Sequence, residues 1–149
     1  MAYCLNAFIG RSEQIKEFAQ HYQQAKVVEL PEGISLIPMT ESLFAEINQK
    51  GNNEPLKQFD YLEPGIERVE SAVLAFLENK LVGYVEAEYF GGQGEQRGVL
   101  WQNQQRVYQP GSSKKAINDI LRLVGVKAQA GLDEFDTVGL GRHRSTSNW

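Results

Sequence analysis

The stretch from Ser71 to Gln109 constrains the fold of this chain most, because its apolar runs are short and are cut at Asn79-Lys80 and again at Asn103-Gln104. Runs of that length on either side of two-residue breaks are the pattern of β-hairpins. A turn at Asn79-Lys80 sets Leu77 opposite Val82, Phe76 opposite Gly83, Leu74 opposite Val85 and Ala72 opposite Ala87. One face of that hairpin is then apolar throughout. The other carries Val73, Ala75, Leu77, Val82 and Tyr84 near the turn, with Glu86 and Glu88 beyond them, so it changes from apolar to acidic along its length. A turn at Asn103-Gln104 likewise sets Leu100 opposite Val107 and Trp101 opposite Arg106, whose guanidinium can lie on the indole. Four consecutive strands of an antiparallel meander are expected.

The flanks read as helices and two further strands. Ala2 to Ile9 suits a buried strand. Ile15, Phe18, Ala19 and Tyr22 recur at helical spacing behind a Ser12 cap, predicting a helix near 12–25. "KVVEL" and "ISLIPM" flank Pro31-Glu32-Gly33 as two short strands around a turn. Thr40 caps a helix near 41–50, with Leu43, Phe44 and Ile47 inward, and Ser112 or Ser113 caps another near 113–124, with Ile117, Ile120, Leu121 and Val124 inward. Residues 54–70, broken by Pro55, Pro64 and Gly65, read as a loop with one helical turn near 66–69. With no internal repeat and no linker, residues 1–149 are expected to form one α+β domain: an antiparallel sheet flanked by about three helices.

Charge and cysteine usage narrow the setting. Nineteen acids against fifteen bases give a net charge of -4, which repels a phosphate backbone, so no nucleic-acid partner is expected. A single cysteine, Cys4, forms no internal disulfide, the N-terminus lacks the pattern of a signal peptide, and no apolar run approaches the ~18 residues of a membrane span. A cytoplasmic protein without membrane association is expected.

The closing segment "LDEFDTVGLGRHRSTSNW" is neither helix nor strand by pattern. It reads as a clasp folded back on the sheet, with Phe135, Val138, Leu140 and Trp149 packing inward, Asp133 or Asp136 capping a turn, and Arg142 and Arg144 pairing with acids elsewhere. Its carboxylates lack the pattern of a calcium loop, and His143 alone makes no zinc motif, so neither metal nor cofactor is expected. "GGQGEQRG" (91–98) lacks the Lys-Ser/Thr and the helix of a phosphate-binding loop and reads as a wide turn or bulge. Neither Cys4 nor any serine sits in a nucleophile signature beside His21 or His143.

"YVEAEYFGGQGEQRGVLW", "AINDILRLVGV" and "DEFDTVGLGRHRSTSNW" resemble recurring segments of a family of small uncharacterised bacterial proteins, a likeness that covers the C-terminal half of the chain. It implies no activity and no catalytic residue. In size, acidity and sheet-plus-helix pattern the chain is also similar, as a class, to immunity proteins that neutralise polymorphic bacterial toxins. The favoured reading is therefore a non-catalytic domain that binds another protein, with Glu86, Glu88, Glu95, Asp133, Glu134 and Asp136 supplying charge and Tyr84, Phe90 and Trp101 supplying aromatic anchors. The alternative is a small hydrolase in which the Gly91–Gly98 loop converges on Arg142, His143 and Arg144, the arginines holding an anion and His143 serving as acid or base. A homo-oligomer built by edge-strand pairing stays open.

Overall fold

A computed structural model describes residues 2–51, 70, 73–110 and 113–149. In chain order the elements are β1 (Ala2–Arg11), α1 (Ser12–Ala19), β2 (Val28–Leu30), β3 (Ile34–Pro38), α2 (Glu41–Gly51), a short helix α3 over 73–77, β4 (Val82–Phe90), β5 (Gln93–Gln102), β6 (Gln105–Tyr108), α4 (Ala116–Leu123) and α5 (Glu134–Thr137). The strands form one antiparallel sheet in the order β2-β3-β1-β4-β5-β6, so the expected α+β class holds. Among the described residues no helix is long and apolar enough to cross a membrane.

Both faces of this sheet are covered, and strand periodicity divides the core between them. Phe8, Ile37, Val82, Tyr84, Val99 and Trp101 point to one face, where α1, α2 and α3 supply Ile15, Phe18, Leu43, Phe44, Ile47, Val73 and Leu77. Leu5, Ala7, Ile9, Leu36, Val85, Ala87 and Leu100 point to the other, where α4 supplies Ile117, Ile120 and Leu121 and the closing segment supplies Val138, Leu140 and Trp149. β1 lies between β3 and β4 and is buried on both faces from Leu5 to Gly10, with Asn6 the buried polar residue among them.

The expected hairpin at Asn79-Lys80 is not formed. Residues 73–77 are helical, and the partner of β4 is β1, with Ile9 opposite Gly83 and Ala2 opposite Phe90. Val73 and Leu77, one helical turn apart, both face the core, which the continuous apolar run "AVLAFL" satisfies as well as strand alternation does. Alanine and leucine favour the helix, which ends where Glu78 takes a left-handed φ of 53°.

Other differences are smaller. α1 stops at Ala19, well short of residue 25, and α4 begins at Ala116. Ser12 does not cap α1; its Oγ lies 2.7 Å from Ser35 Oγ, whereas Thr40 Oγ1 accepts from Leu43 N at 3.1 Å as expected of a cap. The turn at Asn103-Gln104 forms, both residues having positive φ, and Trp101 faces Arg106, but a bulge sets Leu100 opposite Tyr108 instead of Val107. Of the 54–70 loop only Glu70 belongs to the described residues, where it is helical; the proposed turn near 66–69 and the Ser112 cap lie outside them.

The Gly91–Gly98 segment is no wide loop. Gly91 and Gly92, with φ of 61° and 80°, make a two-residue turn between paired strands, and Gln93 already faces Phe90. Gly94 and Gly98 serve packing. A Cβ at Gly94 would stand 1.9 Å from the Glu88 carbonyl oxygen, and one at Gly98 would stand 2.5 Å from Cδ1 of Ile120, which drops from α4 onto the sheet.

Trp101 and Arg106 are joined by Glu70. The indole Nε1 donates to Glu70 Oε2 at 2.7 Å, and the Arg106 guanidinium forms a two-pronged ion pair with the same carboxylate, its Nη2 2.9 Å from Oε1. Burial pushes the Glu70 carboxyl up, but the hydrogen bonds from Arg106 and Trp101 and the Arg106 charge outweigh it and hold the group below its ordinary value of 4.5. A carboxylate with a depressed folded-state pKa stabilises above the unfolded value, and that contribution is lost as pH falls through the folded one. Thermal stability is therefore expected to fall on acidification below about pH 4.5. The variant Glu70→Gln should be less stable at pH 7 and show a shallower acid dependence. Parallel melting curves for the two proteins at pH 7 and down to pH 3 check both points; identical acid dependence would remove Glu70 from the account.

Candidate functional site

The closing segment is stitched to β1 along its path. Tyr3 Oη donates to Leu140 O at 2.9 Å, Cys4 N to Arg144 O at 2.8 Å and Asn6 N to Thr146 Oγ1 at 3.0 Å, while Lys26 Nζ donates to Trp149 O at 2.7 Å. Asp133 caps α5 by accepting from Asp136 N at 2.8 Å, and Asn118 of α4 holds the same turn by accepting from Phe135 N at 2.8 Å. Val138 and Leu140 are fully buried. The segment packs as the expected clasp, but it contains the short helix α5, and among the described residues neither Arg142 nor Arg144 forms the expected pair with an acid.

This path divides the Arg142-His143-Arg144 run between two clefts. Arg142 and His143 line one with Lys16, Lys26 and Trp149, and the His143 ring meets the Trp149 indole edge-on, with centroids 4.7 Å apart. Arg144 lines the other, together with Gln96, so the Gly91–Gly98 segment and the run converge only through these two residues. The expected acid-base group His143 lies in the first cleft, apart from Gln96.

The Arg144 cleft has a volume of about 370 Å³, within the range of small-ligand sites. Its walls come from four places. β1, β4 and β5 contribute Tyr3, Tyr89 and Gln96 from one sheet face, α4 contributes Asn118, and Phe135, Gly141 and Lys114 close the rim. Tyr3 and Phe135 meet edge-to-face at 5.6 Å. Burial, assisted by the neighbouring Cys4 thiol, pushes the Tyr3 phenol well up, so it stays a hydrogen-bond donor. Lys114 is placed by the bridge between Ser113 and Gln96, whose backbone groups exchange hydrogen bonds of 2.7 and 3.0 Å.

The residues expected to bind a partner are dispersed. Tyr84 and Trp101 are core residues, 2% and 0% exposed, and cannot be surface anchors. Glu86 is buried between Asn6 on β1 and Arg97 on β5. Glu134 is buried too and accepts from Arg122 Nε at 2.9 Å. Asp133 is engaged in capping, and Asp136 is exposed. What stays together is the tip of the β4–β5 hairpin: Glu88, Phe90 and Glu95, all exposed, on one sheet face. Glu88 stands directly opposite Glu95, which also has Arg97 at 3.7 Å, and Phe90 is 77% exposed.

Comparison with known proteins gave no match among family models, curated proteins or solved structures. The two surfaces are therefore read from their own chemistry.

Sequence reasoning missed Tyr3, Lys114 and Asn118 as cleft residues, and reached Gln96 only as part of the Gly91–Gly98 loop. Tyr3, Tyr89 and Gln96 share a sheet face only because β1 pairs with β4, a contact between distant parts of the chain that local alternation does not encode. The "DEFD" carboxylates were visible, but which of them is spent internally depends on Asn118 and Arg122 across the fold.

Proposed function

We propose that this chain is a non-catalytic protein-binding domain of the immunity type, which engages a basic partner through the tip of the β4–β5 hairpin. The observation that carries this reading is Phe90, a phenylalanine 77% exposed at a tight turn, flanked by Glu88 and Glu95. Two carboxylates facing each other across a strand pair repel, an effect that Arg97 beside Glu95 offsets only in part, and the exposed phenyl ring next to them is left in water. A basic surface with an apolar pocket relieves both, since the acids steer and the ring anchors. The net charge of -4 favours the same partner at long range.

A photoreactive phenylalanine analogue at position 90, irradiated in the cells that make the protein, tests this. A single discrete adduct with a basic protein is expected, and the purified pair should show loss of that protein's toxic activity at equal stoichiometry. The double change Glu88→Lys and Glu95→Lys is expected to remove the adduct and lower affinity by roughly tenfold or more, with the melting temperature retained. No adduct, or one indifferent to charge reversal, would overturn the reading.

A further inference from the structure

We infer that the Arg144 cleft is a binding site for a small organic anion, one that carries a carboxylate or phosphate on a flat aromatic body. This rests on the cleft alone and not on the hairpin reading. Its polar lining is almost wholly satisfied from within. Gln96 Oε1 accepts from Ile117 N at 2.9 Å while its Nε2 donates to Tyr89 Oη at 3.1 Å. Asn118 Nδ2 donates to Asp133 Oδ2 at 3.1 Å, while Asn118 Oδ1 and Asp133 Oδ1 accept from the α5 backbone at Phe135 N and Asp136 N. Tyr3 is committed to Leu140 O. Among the described residues, the lining groups with the most unused capacity are the Arg144 guanidinium and the Lys114 ammonium, joined by the Tyr89 hydroxyl hydrogen.

All three are donors, and two are cations. Against these two cations the cleft sets one carboxylate, Asp133, each of whose oxygens already accepts a hydrogen bond, so the balance favours an anion, and a guanidinium suits the two oxygens of a carboxylate or phosphate. The remaining wall is aromatic, from Tyr3, Tyr89 and Phe135, which favours a flat apolar body over a sugar or an aliphatic chain. The site is also held in shape before any ligand arrives. The Arg144 backbone is pinned to β1 through Cys4 N, Lys114 follows the Ser113–Gln96 bridge, and Phe135 is fixed by Tyr3 and Asn118. Fixed walls reduce the ordering cost of binding.

The test is a titration of the full chain with phenyl phosphate, benzoate, benzyl alcohol and inorganic phosphate, followed by backbone amide chemical shifts. Saturable shifts at Gln96, Asn118 and Arg144 with either aromatic anion are expected, with benzyl alcohol and inorganic phosphate each weaker by roughly tenfold or more. Arg144→Gln and Lys114→Gln, both at exposed side chains, should each weaken the better aromatic anion by roughly tenfold while the melting temperature stays unchanged. Phe90→Ser should leave this binding intact, which separates it from the hairpin proposal. The inference is overturned if neither aromatic anion saturates, or if benzyl alcohol binds equally well, which would make the cleft a plain apolar groove. Equal binding of inorganic phosphate, or indifference to both charge-removing variants, would overturn it as well.

Discussion

A chain ending at Gly131 is expected to lose its cooperative thermal transition. The eighteen residues removed contribute Val138, Leu140 and Trp149 to the core beneath the sheet, all at least nine-tenths buried. Burying three such side chains is worth about 5–9 kcal/mol, the same order as the ~5–15 kcal/mol that separates a folded domain from its unfolded chain. The backbone donors of Cys4 and Asn6 would lose Arg144 O and Thr146 Oγ1, and Arg122 would lose Glu134. Circular dichroism on heating checks this. A sharp transition in the truncated chain, within a few degrees of the full one, would show that the segment lies on the fold without supporting it.

Trp101→Ala is expected to lower stability by about 3–5 kcal/mol, the usual cost of deleting a large buried ring, and the melting temperature by about 10 °C or more. Trp101 is the largest fully buried side chain, and its indole N–H is one of the groups that hold the Glu70 carboxylate. The measurement also decides between two uses of this residue. A surface anchor would lose affinity at constant stability, whereas a core residue loses stability first. Melting curves of Trp101→Ala beside Phe90→Ser should separate them, with Phe90→Ser melting close to the parent. An unchanged melting point for Trp101→Ala would refute the core assignment.

The alternation in β5 and β6 and the turn at Asn103-Gln104 were legible in the sequence because each is settled by neighbours within a few residues. So were the β2–β3 pair around Pro31-Glu32-Gly33, the Thr40 cap and the clasp, the last through its spaced apolar residues. Residues 73–77 were not, because an uninterrupted apolar run is compatible with either a buried strand or a packed helix, and the choice was made by β1 taking the place beside β4. The candidate sites divide in the same way. Phe90, Glu88 and Glu95 were named among the binding residues, but their grouping at one tip came from the tight turn at Gly91-Gly92 in place of the expected wide one, and burial of Tyr84 and Trp101 depended on which face the first helices cover. Gly94 and Gly98 suggested a phosphate loop by composition, but the reasons for them are the Glu88 carbonyl and Ile120.

The position of β1 also bears on how the chain reaches this structure. Both of its neighbours, β3 and β4, are synthesised after it, and the bond from Cys4 N to Arg144 O waits for nearly the whole chain. Pairings between segments so far apart in sequence close large loops before they are rewarded, which places this topology among slow folders. During that interval an apolar strand with two open edges is exposed to other copies of itself. The central strand of the finished sheet is therefore the most vulnerable segment of the nascent one.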